Sequence, residues 1–319
     1  MDSLYIQFAY ELKRFQATPK SVSTVFIGGG TPSTVEPELY EKIFSLLQPY
    51  LKENAEITTE ANPNSASTAW LKGMKKLGCT RVSFGVQSFN DTKLKFLGRE
   101  HNSTQAYEAV KAAKDIGFEH ISLDLIYATK MDTKEILQED INTAFSLPID
   151  HISAYALTIE ENTLFQAHPE VAKEKLELTS FFIHTIKEKG FEQYEISNFG
   201  KYRCQHNIGY WKLEDYMGVG SGAVGMLKDR RFYPTTDIDK YIKDPLDISI
   251  EELSKEDIKT EKIFLGLRSC VGIDQNELSS SEQKQVDLLL SENKVSRIKN
   301  KIYNNDFLLS DEIALFIQP

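Results

Sequence analysis

The chain has 319 residues, 41% of them hydrophobic and 26% charged, which fits one large α/β domain or a large domain with a small one. Its net charge of −10 comes without a basic block, which argues against a nucleic-acid partner because phosphate binding requires clustered Lys and Arg. No apolar run approaches the ~20 residues of a membrane span, and no secretory signal is visible, so a cytoplasmic protein is expected. Three distant cysteines, Cys79, Cys204 and Cys270, indicate neither a disulfide framework nor a metal-ligand set.

The first two thirds of the chain alternate short apolar runs with longer amphipathic patterns. Strands are predicted at Val22–Ile27, Glu56–Thr59, Arg81–Val86, Ile121–Ile126 and Ile152–Leu157. Helices are predicted between them at Glu38–Leu51, Ser67–Leu77, Ser103–Ile116 and Lys134–Phe145. Because the strand starts lie about 25 to 40 residues apart, each unit is a βα repeat, and a parallel sheet is expected. Five strands fit an α/β fold with a partial TIM-like (β/α) barrel and are too few for a complete one.

The rest of the chain breaks this rhythm. Lys173–Lys189 is predicted to be a helix and Glu192–Ile196 a strand, and helical patterns return at Lys259–Leu267 and Ser281–Leu290. The predicted domains are a partial barrel (1–197), a segment rich in Gly and aromatic residues (198–233), a polar linker (234–254) and a small, mostly helical C-terminal domain with a short hairpin (255–319).

A glycine-rich turn follows the first predicted strand, at the edge where parallel sheets bind ligands. The turn consists of Gly28, Gly29, Gly30 and Thr31. Glycines let backbone N–H groups approach a ligand closely, although a tight turn without a ligand is the alternative.

Carboxyl and amide side chains accompany the next strands. Glu60 follows the second strand, Gln87 follows the third, and Asp124 lies within the fourth, where an unpaired buried carboxylate is costly. The alternatives are a helix-capping role for Glu60 and a structural ion pair for Asp124. Tyr155 either lines the same edge or belongs to the core. Together these residues predict a polar ligand with amine, hydroxyl and carboxylate groups.

Five motifs along the chain resemble, in order, those of the oxygen-independent coproporphyrinogen III oxidase group of radical S-adenosylmethionine (radical SAM) proteins. They are Gly-Gly-Gly-Thr-Pro-Ser from Gly28, Glu-Ala-Asn-Pro from Glu60, Arg-Val-Ser-Phe-Gly-Val-Gln-Ser-Phe from Arg81, Leu-Gly-Arg-Glu-His from Leu97, and Ser-Leu-Asp-Leu-Ile-Tyr from Ser122. The resemblance covers about Ser23 to Ile273. It implies that the glycine motif holds the methionine amino and carboxylate end of S-adenosylmethionine. It also implies that four side chains contact the methionyl and ribose parts: Glu60, Gln87, Arg99 and Asp124.

Members of this group also carry a Cys-x3-Cys-x2-Cys loop whose thiolates hold a [4Fe–4S] cluster. No such loop occurs in this sequence. Leu4–Phe15 resembles the first helix of the family's domain, so the first barrel strand and the cluster loop are expected to be missing by N-terminal truncation. The chain as written is therefore expected neither to assemble the cluster nor to cleave S-adenosylmethionine. A misplaced start, a frameshift and a deliberate truncation all stay open.

The stretch Cys-Gln-His-Asn-Ile-Gly-Tyr-Trp from Cys204 resembles the His-Asn-x-x-Tyr-Trp signature of HemW-type heme chaperones. An imidazole ligates heme iron, and Tyr and Trp offer flat surfaces to a porphyrin. We therefore predict that His206 ligates heme iron beside Tyr210 and Trp211. The alternative is a hydrogen-bonded structural histidine. Cys204 is either a soft ligand or a buried thiol, and the second is favoured.

The resemblance implies a heme-binding chaperone that delivers heme to hemoproteins. Its expected ligands are heme and S-adenosylmethionine, and its expected partners are hemoprotein clients and, if the family's dimerisation survives, a second copy of the chain. Two alternatives stay open: an oxygen-independent coproporphyrinogen III oxidase, which is an enzyme, and an inactive, cluster-free remnant.

Overall fold

A computed structural model describes residues 1–159 and 165–318. Residues 160–164, within the predicted barrel, and residue 319, within the predicted C-terminal domain, lie outside the described residues. The chain forms two compact units, one of residues 24–39 and 55–203 (the sheet unit) and one of residues 1–23, 40–54 and 204 onward (the second unit). Both units are discontinuous in sequence, whereas the predicted domains are consecutive segments, so that division stays a prediction.

Strands and helices alternate along the chain as expected. The strands are β1 (Val22–Ile27), β2 (Leu51–Ala61), β3 (Arg81–Gln87), β4 (His120–Tyr127), β5 (His151–Ala156), β6 (Glu192–Gln193), β7 (Asn198–Gly200), β8 (Gly225–Leu227), β9 (Arg230–Pro234), β10 (Ile248–Glu252), β11 (Ile273–Asp274), β12 (Val295–Ile298) and β13 (Lys301–Asn304). The α-helices are α1 (Asp2–Arg14), α2 (Glu41–Leu47), α3 (Thr68–Leu77), α4 (Asp91–Phe96), α5 (Ser103–Ile116), α6 (Lys134–Ser146), α7 (Leu176–Glu188), α8 (Gln205–Trp211), α9 (Ile238–Lys243), α10 (Lys255–Leu267), α11 (Ser280–Ser291) and α12 (Ser310–Ile317).

The large sheet has the order β1-β2-β3-β4-β5-β7-β6 within the described residues. Neighbours from β2 to β5 are parallel, which confirms the α/β class and the parallel sheet. The far end departs from the βα rhythm, because β7 runs antiparallel to β5 and β6 runs antiparallel to β7. Of the predicted strand Glu192–Ile196, only the two residues of β6 form a strand.

Local sequence signals determine where the helix α5 begins and ends. Asn102 and Gln105 form a capping box at its start, and Gly117 ends it in the left-handed conformation with a φ of +96°. Ala106 and Val110, which lie four residues apart on one face, are completely buried. Local caps and apolar spacing therefore determine this helix.

The predicted helix Glu38–Leu51 is wrong at both ends. The α-helical part is only α2, flanked by 3-10 turns at Pro37–Tyr40 and Gln48–Tyr50, and Leu51 already begins β2. Pro49 has no N–H to donate within a helix, and its ring clashes with the preceding turn. The proline therefore ends the helix before the apolar pattern does.

Side chains of β3, β4 and β5 alternate between an apolar and a polar face. Apolar residues such as Val82, Phe84 and Leu123 are fully buried. The intervening positions carry polar side chains: Arg81, Ser83, Ser122, Asp124, His151 and Ser153. The strand register places Ser122 opposite His151 and Asp124 opposite Ser153. These side chains therefore share one face of the sheet.

The second unit contains α1, α2, α8–α12 and two three-stranded sheets, ordered β10-β9-β8 and β11-β13-β12 in the described part of the chain. The segment 234–254, predicted to be a linker, contains α9 and β10, and β10 pairs antiparallel with β9. Its polar composition reflects a mostly exposed strand at the end of its sheet rather than a linker. The linker interpretation is therefore wrong.

The C-terminal part is small and contains three helices, α10 to α12, with the hairpin β12–β13, as predicted. One hydrophobic cluster holds these elements together, including Leu267, Val286, Ile302 and Ala314. No helix within residues 1–159 and 165–318 has the length and apolar character to cross a membrane.

Candidate functional site

The glycine-rich turn after β1 lies against Glu60 at the end of β2. A Cβ atom on Gly28 would lie 2.7 Å from Phe26 Cε1 and 2.9 Å from Glu60 Oε2, so only glycine fits there without displacing a neighbour. Gly29 has a φ of +101°, and its N–H donates a hydrogen bond to the Glu60 carboxylate. Apart from the glycine itself and its two chain neighbours, no described residue has an atom within 4 Å of a Cβ built on Gly29 or Gly30. The backbone of this turn is therefore open to a ligand.

The turn is tied to the loop that follows β2. The Thr31 carbonyl accepts a hydrogen bond from the Thr34 N–H at 2.9 Å, which closes the turn. Ser33 Oγ accepts a hydrogen bond from the Asn62 N–H at 3.0 Å and lies 2.6 Å from Ser65 Oγ. The Ser33 hydroxyl thus joins the first motif to the backbone of the second.

Glu60 and Asp124 form a pair of carboxyl groups on the polar face of the sheet. Burial, followed by the charge of Asp124, raises the pKa of Glu60. Burial raises the pKa of Asp124 to about 6, although the nearby Arg81 guanidinium and hydrogen bonds from Ser83 and Ser153 favour its ionised form. The site therefore holds two carboxyl groups whose negative charges repel each other and are both attracted to the buried Arg81 guanidinium.

Arg99, which follows α4, completes the set of charges. Burial lowers the pKa of its guanidinium, and the charge of Asp124 acts in the opposite direction. The arginine of the Leu-Gly-Arg-Glu-His motif therefore lies within electrostatic reach of the carboxylate in β4. The prediction that Asp124 faces a partner or a polar cavity, and not a purely apolar core, agrees with this geometry.

Gln87 ends β3 with a φ of +67°, which is rare for a residue other than glycine. A Cβ atom on Gly85 would lie 3.0 Å from Gln87 Nε2 and 3.2 Å from Asn62 Oδ1. The Gln87 and Asn62 amides therefore both lie over Gly85, and Asn62 follows Glu60 by two residues. The structure thus brings all of the residues predicted for S-adenosylmethionine to one edge of the sheet.

Tyr155, left undecided by its sequence, lies at the end of β5 and is 45% exposed. Burial, then the charge of Asp124, raises the pKa of its hydroxyl to about 12, and Glu60 acts in the same direction. It therefore lines the same edge as the carboxyl pair and is not an ordinary core tyrosine.

Sequence reasoning missed a buried polar network on the same face. His151, the first residue of β5, is fully buried. Its Nδ1 lies 2.7 Å from Ser122 Oγ, and its Nε2 lies 2.6 Å from the Tyr194 hydroxyl. Burial, followed by the charge of Arg81, holds the pKa of His151 well below its usual range. The sequence signal that could have revealed this network is the alternation of polar with apolar residues along β3, β4 and β5.

The predicted heme residues lie on α8, in the second unit. His206 Nε2 lies 3.0 Å from the Tyr210 hydroxyl oxygen, and the two rings meet edge to face with centroids 4.7 Å apart. Tyr216, which was not predicted, packs edge to face on Tyr210 at 4.5 Å. Trp211, at the end of α8, is half-buried, and Cys204, at its start, is buried, as expected of a core thiol.

Burial, followed by the charges of Tyr216 and Cys204, raises the pKa of Tyr210 to about 12, so its hydroxyl keeps its proton. Arg231 forms a hydrogen bond with Tyr216 and an ion pair with Glu261 at 2.5 Å. We call His206, Tyr210 and Tyr216 the aromatic cluster. Tyr216 had no sequence signal, because it lies beyond α8 in an irregular segment.

The cysteines of this chain do not fit an iron–sulfur cluster. Burial raises the pKa of Cys79 to about 12, which disfavours the thiolate that binds iron. Within residues 1–159 and 165–318, no group of three or more His, Cys, Asp or Glu side chains is placed to hold a metal ion.

Comparison with known proteins decides the family. Residues 6–144 match the family model of the radical SAM superfamily. The heme chaperone HemW of Bacillus subtilis is 33% identical over 287 residues, which cover 83% of this chain and 75% of that protein. The heme chaperone HemW of Lactococcus lactis is 32% identical over 301 residues, covering 90% and 79%. The chain belongs to the HemW family of radical SAM proteins.

Membership in the HemW family confirms the resemblance inferred from the sequence motifs. Among solved structures, coproporphyrinogen III oxidase (HemN) from Escherichia coli, a radical SAM enzyme, superimposes with a TM-score of 0.79 over 99% of this chain and 82% of HemN. The two sequences are 19% identical, so this similarity concerns the fold. The sheet unit accordingly has the TIM-like architecture of radical SAM proteins.

Proposed function

We propose that the chain is a heme chaperone, which binds heme at the aromatic cluster and delivers it to hemoproteins. The observation that carries this proposal is the contact between His206 and Tyr210, because an imidazole beside flat aromatic surfaces suits a heme ligand. Both relatives described above are named heme chaperones.

The side chains of the aromatic cluster have distinct parts in this proposal. A neutral imidazole binds metals through its unprotonated nitrogen. With Nδ1 of His206 as the iron ligand, Nε2 would carry the proton and donate it to the Tyr210 hydroxyl oxygen 3.0 Å away. Heme, when bound, supplies the iron for which the imidazole is the ligand. Tyr210 then fixes the imidazole plane, and Tyr216 fixes Tyr210.

We propose S-adenosylmethionine as the ligand of the sheet unit, and the residues present fit its functional groups. The backbone of Gly30, with open space beside it, offers an N–H donor to a carboxylate, whereas the Gly29 N–H already donates to Glu60. The carboxyl groups of Glu60 and Asp124 offer acceptors to an amine and to hydroxyl groups. Arg99 and Gln87 supply further donors at the same edge.

Transfer of heme tests the chaperone function. The purified chain is loaded with heme and mixed with apomyoglobin, and the Soret band is followed as heme moves to the acceptor. If the chain is a chaperone, heme moves from it to apomyoglobin at a rate that differs from the rate for free heme. His206→Ala changes that transfer rate. Heme that stays on the chain, or that reaches apomyoglobin at the rate of free heme, contradicts the proposal.

A further inference from the structure

Gln87 occupies a strained turn. The Ser88 N–H donates to the Val86 carbonyl at 2.8 Å across Gln87, whose φ is +67°, so the three residues form a γ-turn with a positive central φ. This turn is rare and unfavourable for a residue with a Cβ atom. Strain of this kind persists only where the surroundings impose it.

His101 holds the turn from one side. Its Nε2 donates to the same Val86 carbonyl at 2.9 Å, and its ring is buried. Because a carbonyl oxygen only accepts, the proton must be on Nε2. His101 follows Arg99 by two residues, so this hydrogen bond also fastens the Arg99 segment to the end of β3.

Asp140, from α6, holds the turn from the other side. Its carboxylate accepts hydrogen bonds from the Ser88 hydroxyl at 2.8 Å and from the Phe89 N–H at 2.5 Å. The donors belong to the two residues that follow Gln87 in the chain. The backbone on either side of the strained residue is therefore anchored to a buried side chain.

Lys93 and Asp132 extend this anchor to the end of β4. Lys93 Nζ lies 2.7 Å from Asp132 and 3.4 Å from Asp140, and all three side chains are buried. Asp132 Oδ2 accepts a hydrogen bond from the Thr129 N–H at 2.7 Å, directly after Ala128, whose φ is +60°. One ion network thus supports two left-handed residues at neighbouring strand ends.

We propose that His101 and Asp140 are positioning residues, which impose the γ-turn so that the Gln87 amide stays over Gly85 beside Asn62. Neither residue is among those assigned to the ligand. The effect on S-adenosylmethionine binding rests on the proposed function. The imposed turn itself does not, because it is a property of the protein without a ligand. Its test therefore needs one measurement without a ligand and one with it.

The first measurement is a double-mutant cycle on the melting temperature of the full chain, with Gln87→Gly, His101→Ala and both together. With His101 present, Gln87→Gly relieves the strain, so the variant should melt at a higher temperature than the unaltered chain. Without His101 the turn relaxes, and glycine brings no gain. Equal effects of Gln87→Gly in the two backgrounds overturn the inference, because the turn is then imposed by something else.

The second measurement is S-adenosylmethionine binding by isothermal titration calorimetry. His101→Ala is expected to weaken binding about tenfold, in the range for groups that orient a ligating side chain. His101→Gln retains an N–H donor and is expected to recover part of the loss. His120→Ala is the matched control, because His120 is hydrogen-bonded to Asp150 at 2.6 Å and pairs with Arg81 at the start of β3, whereas the γ-turn is at the end of that strand.

The outcomes separate the two proposals. A non-additive cycle with weakened binding supports both. A non-additive cycle in which the unaltered protein binds no S-adenosylmethionine overturns the proposed ligand and supports the imposed turn. If His101→Ala does not fold, Asp140→Ala, which removes both acceptor oxygens, replaces it in the same cycle, and additivity there overturns the inference.

Discussion

Ser83 Oγ donates a hydrogen bond to Asp124 Oδ1 at 3.2 Å, across the neighbouring strands β3 and β4. With the Arg81 guanidinium, this contact favours the ionised carboxylate, yet burial still raises the pKa of Asp124 from 3.8 to about 6. Folding therefore disfavours the charged carboxylate relative to the protonated group, by comparison with the unfolded chain.

This shift predicts a pH-dependent effect of Asp124→Asn. A raised carboxyl pKa contributes stability below about pH 4, and that contribution is lost as the pH rises through about 6. Asparagine resembles the protonated form, so the variant should match the unaltered chain at pH 4 and melt about 2–4 °C higher at pH 7.5. Asp115→Asn, at an exposed position of α5, is the control for thermal unfolding at both pH values. The same difference in melting temperature between Asp124→Asn and the unaltered chain at both pH values would contradict the raised pKa of Asp124.

The glycine turn offers a matched pair of substitutions. Gly28→Ala places a Cβ atom within 3 Å of Phe26 and Glu60, so the free energy of unfolding should fall by about 1–3 kcal/mol. Gly30→Ala points into open space and should change it by about 0.5 kcal/mol or less. Urea unfolding measures both, and equal losses would show that the turn is packed differently.

Sequence reasoning predicted the elements whose signals are local. The caps of α5 and the apolar alternation of β3 and β4 are determined by nearby residues, and so are the strand ends that carry Glu60 and Asp124. The α/β fold and the edge of the sheet that carries the candidate site therefore followed from the sequence.

Features that depend on distant partners did not follow from the sequence. His151 meets Tyr194 across 43 positions, and Lys93 meets Asp140 across 47. The positive φ of Gln87 had no local signal either, because glycine is the residue usual at such a position. These features became visible only once the strands and helices were placed.

Tyr210→Phe tests the hydrogen bond within the aromatic cluster. The ring and its contact with Tyr216 remain, whereas the imidazole loses a partner 3.0 Å away. Stability should fall by about 0.5–1.5 kcal/mol, and the Soret band of added heme should shift, because the imidazole is less well oriented. Tyr107→Phe, at an exposed position of α5, should leave both unchanged. An unshifted Soret band in Tyr210→Phe would mean that Tyr210 does not orient His206.

The most direct measurement is a heme titration of the purified chain, followed at the Soret band, with His206→Ala and His184→Ala as variants. His184 is exposed on α7 and pairs with Glu188, so its loss controls for the removal of an imidazole. The unaltered chain and His184→Ala should give the same spectrum. His206→Ala should give a shifted band and weaker but not abolished retention of heme, because apolar contacts supply part of the affinity. Its stability should fall by about 0.5–1.5 kcal/mol, because the hydrogen bond to Tyr210 is lost. Identical spectra for His206→Ala and the unaltered chain would contradict ligation by His206.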